Sequence, residues 1–351
     1  MDPRHAFIFL FGALGGGAAF VIGAPMPFLL GGIFGSACFV LVYERQERKL
    51  PKLTSWVRLS FAAVIGAMIG TRFTPDLLPI LPQFWVSAVA IVPYILIAHG
   101  GNYAMMRGLG GYDRLDAYFA ALPGGIVDSA ILAEQAGADL RVVTAQHFIR
   151  IILVVTTIPF LFLFVQGDAV GSLAGEKLST ADYDSFDVLS ILALAAVGLV
   201  LGRALKLPVA HLMGPMLLGL GLSVSGLVAI DVPEWLQHLA QFMLGCSLGA
   251  QFSGVSRRLL VRGLGMGLLS GVFMLGLAAA FAGMLMGYVP AGFEPLFISF
   301  AAGGLAEMSL IALTLNFAPV VVALHHLARI FLTIWIGAFL FKRFFEAGVK
   351  P

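Results

Sequence analysis

The sequence predicts an all-α polytopic membrane protein built on an internal duplication, and three observations carry that reading. Charged residues make up 11% of the chain, against roughly 25% in an ordinary soluble domain. Hydrophobic residues make up 60% and the mean hydropathy is +0.97, more apolar surface than a soluble fold of this length can hide. The third observation is that the chain matches itself. The net charge of +2 comes from short basic clusters between apolar runs, so no patch can grip a phosphate backbone and no nucleic-acid partner is expected. Cys38 and Cys246 sit inside apolar runs, without disulfide or zinc-ligand spacing, and read as buried packing residues.

The self-match has a constant offset of 179 residues from residue 56 to beyond residue 150. Trp56 falls on Trp235, Gly66 and Gly70 on Gly245 and Gly249, and Phe73 on Phe252. Gly124 and Gly125 fall on Gly303 and Gly304, Asp128 on Glu307, and His147, Arg150 and Ile151 on His326, Arg329 and Ile330. Upstream the offset becomes 183, placing Pro25, Leu29 and Gly31 on Pro208, Leu212 and Gly214, with the extra residues in the charged loop Glu44 to Lys52. Polar matches inside apolar segments are improbable by chance. The expected organisation is a first transmembrane repeat over 1–166, an acidic external linker over 167–187 and a second repeat over 188–351.

Each repeat carries six apolar segments: about 6–23, 26–43, 55–73, 82–106, 116–137 and 140–166, then about 188–205, 208–229, 235–253, 260–288, 293–316 and 319–342. A span needs about 20 residues, and most segments qualify. The first run resembles a signal peptide, but its counterpart in the second repeat assigns it to the fold. Segments 116–137 and 293–316 break at Pro123-Gly124-Gly125 and Gly303-Gly304, as either a broken spanning helix or a re-entrant hairpin of two half-helices. Charge placement separates these readings. With re-entrant hairpins, five spans per repeat and the N-terminus inside, the cytoplasmic side collects Arg45, Arg48, Lys49, Lys52, Arg107, Arg114, Arg203, Lys206, Arg257, Arg258, Arg262, Lys342 and Arg343. The outside collects Asp168, Glu176, Asp182, Asp184, Asp187, Asp231 and Glu234. If the broken segments span, several of these basic residues land outside. The expected topology is therefore ten spans plus two re-entrant hairpins in an inverted repeat, both termini cytoplasmic, with twelve spans as the alternative. Trp56, Trp85 and Trp235 near span ends are interfacial anchors.

Paired breaks in two inverted halves point to a transporter site. Non-helical backbone at membrane depth survives only inside protein or beside a water-filled cavity, and each following half-helix presents an N-terminus that favours anions. The alternative is that the glycines serve close helix packing. Gly124, Gly125, Ser129, Gly303, Gly304 and Ser309 are candidate substrate ligands on this basis. Asp128 and Glu307 follow the second glycine by three residues. They read as a proton or cation site, or as acids at the third helical position complementing the dipole. Glu134 reads as a solvated residue near the cytoplasmic mouth. His147 and Arg150, like His326 and Arg329, share a helix face. Arg150 and Arg329 could clamp an anion, with His147 and His326 in proton coupling, or the arginines could neutralise Asp128 and Glu307. His325-His326 lacks the spacing of a helical metal pair, so no metal is expected, and His211 reads as structural. No Walker loop, dinucleotide fingerprint, Gly-x-Ser-x-Gly or thiol motif is present.

Leu122-Pro-Gly-Gly-Ile-Val-Asp-Ser with Gln146-His-Phe-Ile-Arg, and Ala302-Gly-Gly-Leu-Ala-Glu-Met with His325-His-Leu-Ala-Arg, carry a family resemblance, together with Leu212-Met-Gly-Pro-Met and Gly245-Cys-Ser-Leu-Gly-Ala-Gln-Phe. Over nearly its whole length the chain resembles the AbrB-duplication proteins of bacterial inner membranes, a family also labelled ammonia monooxygenase or AbrB-family regulator. The first repeat departs from the Gly-Gly-x-x-Glu-Met pattern, with Asp128-Ser129 where the second has Glu307-Met308. The resemblance implies an inner-membrane location.

The resulting expectation is a secondary transporter that moves a small anionic solute by alternating access, coupled to protons or Na⁺ through Asp128 and Glu307 and needing no other cofactor. The expected partners are the bilayer, the solute and, in a homodimer, a second copy. The alternatives are an integral-membrane enzyme, as the monooxygenase label implies, and a membrane regulatory protein affecting gene expression. The regulatory reading is weakened by loops of at most about 20 residues.

Overall fold

The structure is a computed structural model that describes residues 4–44, 50, 55–73, 75, 79–166, 184–207, 209–226, 230–255 and 257–346. The side chains of Ser55, Val127, Asp128, Gln166, Arg257, Arg258 and Glu346 also lie outside the description. The greater part of the expected acidic linker, with Asp168, Glu176 and Asp182, falls outside it, as do Arg45, Arg48, Lys49, Lys52 and Pro208.

The described residues form helices throughout. The first half holds α1 (His5–Val21), α2 (Pro27–Glu44), α3 (Ser55–Thr71), α4 (Trp85–Gly108), α5 (Arg114–Ala120), α6 (Ile126–Gln135) and α7 (Leu140–Gln166). The second holds α8 (Ser185–Ala204), α9 (Ala210–Val224), α10 (Glu234–Gly249), α11 (Arg257–Leu285), α12 (Phe293–Phe300), α13 (Leu305–Thr314) and α14 (Pro319–Phe341). Among the described residues, six segments are long and apolar enough to cross a membrane: 27–44, 81–108, 140–165, 185–204, 259–285 and 319–345. With this composition they make the chain a helical membrane protein. Four shorter apolar helices lie at 5–21, 56–71, 210–224 and 305–314. The two broken segments are pairs of short helices, α5 with α6 and α12 with α13, and none exceeds ten residues. Ten helical residues rise about 15 Å, roughly half the hydrocarbon core.

The chain divides into two compact units, and their membership cuts across the halves of the sequence. The first comprises residues 1–79, 156–254 and 306–320; the second comprises 80–155, 255–305 and 321–351.

In the first unit α2 packs on α1 and α10, while α9 packs on α8 and α3. Glycines set these approaches. A Cβ on Gly31 would strike the Gly15 carbonyl, and one on Gly214 would strike that of Gly198. Without a hydrophobic drive between helices in lipid, close backbone packing of this kind holds them together. Glu44 ties a loop down, its carboxylate accepting from Ser253 Oγ (2.6 Å) and the Gly254 amide (2.8 Å). Asp184 and Asp187 form a capping box at the start of α8. Cys246 is buried, as the sequence leads one to expect, but Cys38 is exposed. An apolar run marks lipid-facing and protein-facing positions alike, so it does not reveal which way one thiol points.

In the second unit α11 packs against α4 and α12, and α5 against α4 and α6. The Tyr118 hydroxyl donates to the Gly337 carbonyl (2.7 Å), and its ring packs among Phe119, Phe341 and Phe345. The loop after α4 is clamped by Arg262, which donates to the Gly110 and Gly111 carbonyls (2.5 and 2.9 Å) and lies 4.5 Å over the Tyr112 ring. Tyr112 in turn accepts from Gln146 Nε2 (2.6 Å), and burial pushes its phenol above the usual range.

Candidate functional site: two buried histidine–arginine pairs

Both pairs lie in the second unit, on α7 and α14. His147 hydrogen-bonds through Nε2 to the Phe119 carbonyl (3.0 Å) and through Nδ1 to Arg150 Nη2 (3.0 Å). His326 makes the matched contacts, Nε2 to the Ile298 carbonyl (2.9 Å) and Nδ1 to Arg329 Nη2 (2.7 Å). A carbonyl only accepts and a guanidinium only donates. Each ring is therefore the neutral tautomer with its hydrogen on Nε2, donating to the carbonyl and accepting from its arginine. Phe119 and Ile298 belong to the last turns of α5 and α12, where helical carbonyls lack intrahelical partners. Each histidine thus ties a short helix to a long one and orients the arginine one turn along.

The arginines then diverge. Arg329 Nη1 donates to the carbonyls of Phe300 (3.1 Å) and Ala301 (2.6 Å), and Nη2 to that of Gly303 (3.1 Å). It satisfies the unwound backbone between α12 and α13. Arg150 makes no matching bonds at its own break. The Gly124 carbonyl, counterpart of Gly303, accepts instead from Ser129 Oγ (3.2 Å). Arg150 is only 2% exposed, yet its Nε and Nη1 have no partner. Neither guanidinium forms an ion pair with a carboxylate among the described residues of this unit. Buried, uncompensated charge is costly, so Arg150 is the group in this unit with most to gain from an anion.

Other polar atoms share that condition. Arg329 Nε, Thr333 Oγ1, Ser299 Oγ, the Tyr94 hydroxyl and both amide atoms of Asn102 are buried without partners. Arg150, Arg329 and Tyr94 lie close enough to influence one another electrostatically. Gly124 brings the first break against the second arginine: a Cβ there would lie 3.7 Å from Arg329 Nε and 3.8 Å from Thr333 Oγ1.

The remaining candidates separate. Gly125 caps α6 in a left-handed conformation (φ 64°), which puts Asp128 at the third helical position; the Asp128 side chain lies outside the described residues. Gly303 and Gly304 form the turn before α13, and Glu307 sits in its first turn. Glu307 and Ser309 are buried but belong to the first unit. Glu134 is exposed. The two adjacent histidine rings serve different places: His325 bonds Ser87 Oγ (2.8 Å) and lines an apolar cavity of about 340 Å³ with Trp85, Ile91 and Leu324, whereas His326 holds Arg329. Among the described residues no group of three His, Cys, Asp or Glu side chains is arranged to hold a metal ion.

Tyr94, Ser299 and Thr333 escape a reading of motifs. The signal that could have found them is asymmetry, since the residues 179 positions away are Phe273, Ala120 and Val154. A polar residue in an apolar helix whose counterpart is apolar is under a local demand.

Fold and site together define a helical membrane protein with buried, partly unsatisfied arginines beside two interrupted helices. The chain belongs to the AbrB family: the family model described as "Transition state regulatory protein AbrB" matches residues 28–345. It is 27% identical to "Uncharacterized protein YhjN" of Bacillus subtilis (strain 168), over 92% of this chain and 88% of that one. It is 26% identical to "Putative regulator AbrB" of Escherichia coli (strain K12), over 72% of this chain and 73% of that one.

Proposed function

We propose that the chain is a secondary transporter of the bacterial inner membrane that moves a small anion by alternating access, with Arg150 as its principal ligand. The observation that carries this reading is Arg150 itself, buried, held by His147, and left with unpartnered N–H groups at Nε and Nη1. Its neighbourhood fits a transporter site, where interrupted helices supply polar backbone at membrane depth. In this reading the two halves form an inverted repeat, each with five spans and a re-entrant hairpin, and both termini are cytoplasmic. Asp128 and Glu307 then couple transport to protons or Na⁺. The regulator label carried by a relative supports a second reading, a membrane protein that influences gene expression through a partner.

The decisive experiment is a thermal-stability screen of the purified protein in detergent against small carboxylates, phosphate, sulfate, ammonium, Na⁺ and transition metals. A ligand bound only to the folded state at about 100-fold its Kd stabilises by roughly 2.7 kcal/mol. Stabilisation by an oxyanion that disappears in Arg150→Ala supports the transporter. An identical response in that variant removes Arg150 from the site, and stabilisation by copper or iron alone favours an enzyme. Topology is tested by cysteines at Asp113 and Ala138, in a background lacking Cys38: labelling from one side agrees with a re-entrant hairpin, labelling from opposite sides with a spanning break. Gradient-driven uptake unchanged in Glu307→Gln would remove that residue from coupling.

A further inference from the structure

The second unit holds two buried guanidinium groups in electrostatic reach of each other, each 2% exposed, with no carboxylate pairing them among the described residues of the unit. One Nη2 hydrogen of Arg150 goes to His147. Its Nε and Nη1 have no partner, and among the described residues no acceptor faces its second Nη2 hydrogen. Whichever Nη2 hydrogen the histidine takes, one bidentate edge stays open, either Nε with Nη2 or Nη1 with Nη2. That edge matches two oxygens of a carboxylate or phosphate. Arg329 is spent on carbonyls and on His326 except at Nε. Its free N–H and the unpartnered Thr333 hydroxyl both lie beside Gly124, in space that a single methyl group would enter. A monoanion on Arg150 leaves the second charge uncompensated in a low-dielectric interior; a dianion answers both.

We infer that this site takes a dianionic oxyanion, with one pair of oxygens on the open edge of Arg150 and a further oxygen on Arg329 Nε–H and the Thr333 hydroxyl beside Gly124. The inference rests on the anion-site reading above and narrows it to a charge class. A tetrahedral dianion and a short dicarboxylate share this chemistry.

The test measures stabilisation of the full-length protein in detergent by sulfate and phosphate, by succinate and malonate, and by acetate and nitrate, at matched ionic strength. The variants are Gly124→Ala and Thr333→Val. Alanine at 124 meets only ordinary van der Waals distances, and valine at 333 keeps the shape of threonine, so both are expected to fold. Dianions should bind at least about tenfold more tightly than monoanions, and each variant should cost the dianions about tenfold while leaving monoanions unchanged. Whether sulfate and phosphate or the dicarboxylates respond identifies the source. Monoanions binding as tightly as dianions, with Arg150 still required, would overturn the inference and leave the anion site standing. Dianion binding that ignores both variants would overturn the assigned second contact. Binding of no oxyanion, or binding indifferent to Arg150→Lys, would sink both this inference and the reading beneath it.

Discussion

The two histidine–arginine pairs begin alike and end with different duties. In both, a neutral histidine donates to the last turn of a short helix and accepts from the arginine one turn along. Arg329 goes on to satisfy three backbone carbonyls, whereas Arg150 keeps Nε and Nη1 free. A single position explains much of the difference. Ser129 supplies its hydroxyl to the Gly124 carbonyl, and its counterpart Met308 has none to offer. At the first break a serine serves one carbonyl and Arg150 none; at the second a methionine stands in the serine's place and Arg329 serves three. Residues at matched sequence positions can therefore make different hydrogen bonds.

The largest expected effect comes from breaking the structural pair. Arg329→Ala would remove a donor from three carbonyls, of which only that of Ala301 keeps another, the Gly303 amide, and orphaned buried groups cost about 1–3 kcal/mol each. Its melting temperature should fall by about 5 °C or more whether or not ligand is present, and lysine, lacking the planar fork, should not restore it. Arg150→Ala should instead keep or raise the ligand-free melting temperature, because it removes an uncompensated buried charge, while abolishing stabilisation by anions. Equal losses in the two variants would erase the contrast. Next in size is Ser129→Met, which places at 129 the residue found at the matched position 308. Arg150 is then expected to turn to the Gly124 carbonyl, with anion affinity about tenfold lower and stability nearly unchanged; undiminished affinity would show that Ser129 does not set the arginine free. Smallest is Tyr94→Phe. Its hydroxyl has no partner in the protein, so stability should hold or rise slightly, and affinity should drop by about threefold if that hydroxyl meets the anion. Calorimetric titration with the responding oxyanion would measure the last two.

Much of the fold was legible in the residues. The apolar segments forecast the helices to within a few residues, the larger departure being α9, which ends at Val224, five residues before its apolar segment does. The glycine breaks fall between α5 and α6 and between α12 and α13, although Gly31-Gly32 and Gly100-Gly101 continue inside α2 and α4, so a glycine pair permits a break without dictating one. The three-residue spacing of histidine and arginine placed each pair on one helix face, and the pairs do touch. Glu307 falls in the first turn of α13 as its distance from Gly304 implies. The outward thiol of Cys38 was not legible, because composition reports that a position is apolar and not what covers it.

The amino-acid order alone thus determined the helical membrane character, the recurring series of segments, the breaks and the local pairs, all of which depend on contacts within a few residues. Only the tertiary structure decided that helices from both halves are shared between two units, that Gly124 lies against Arg329 and Thr333, and which arginine is spent on backbone. Those outcomes depend on contacts between residues distant in the chain, such as Gly124 with Arg329, and on which donor reaches a broken-backbone carbonyl, and no periodicity or motif records either.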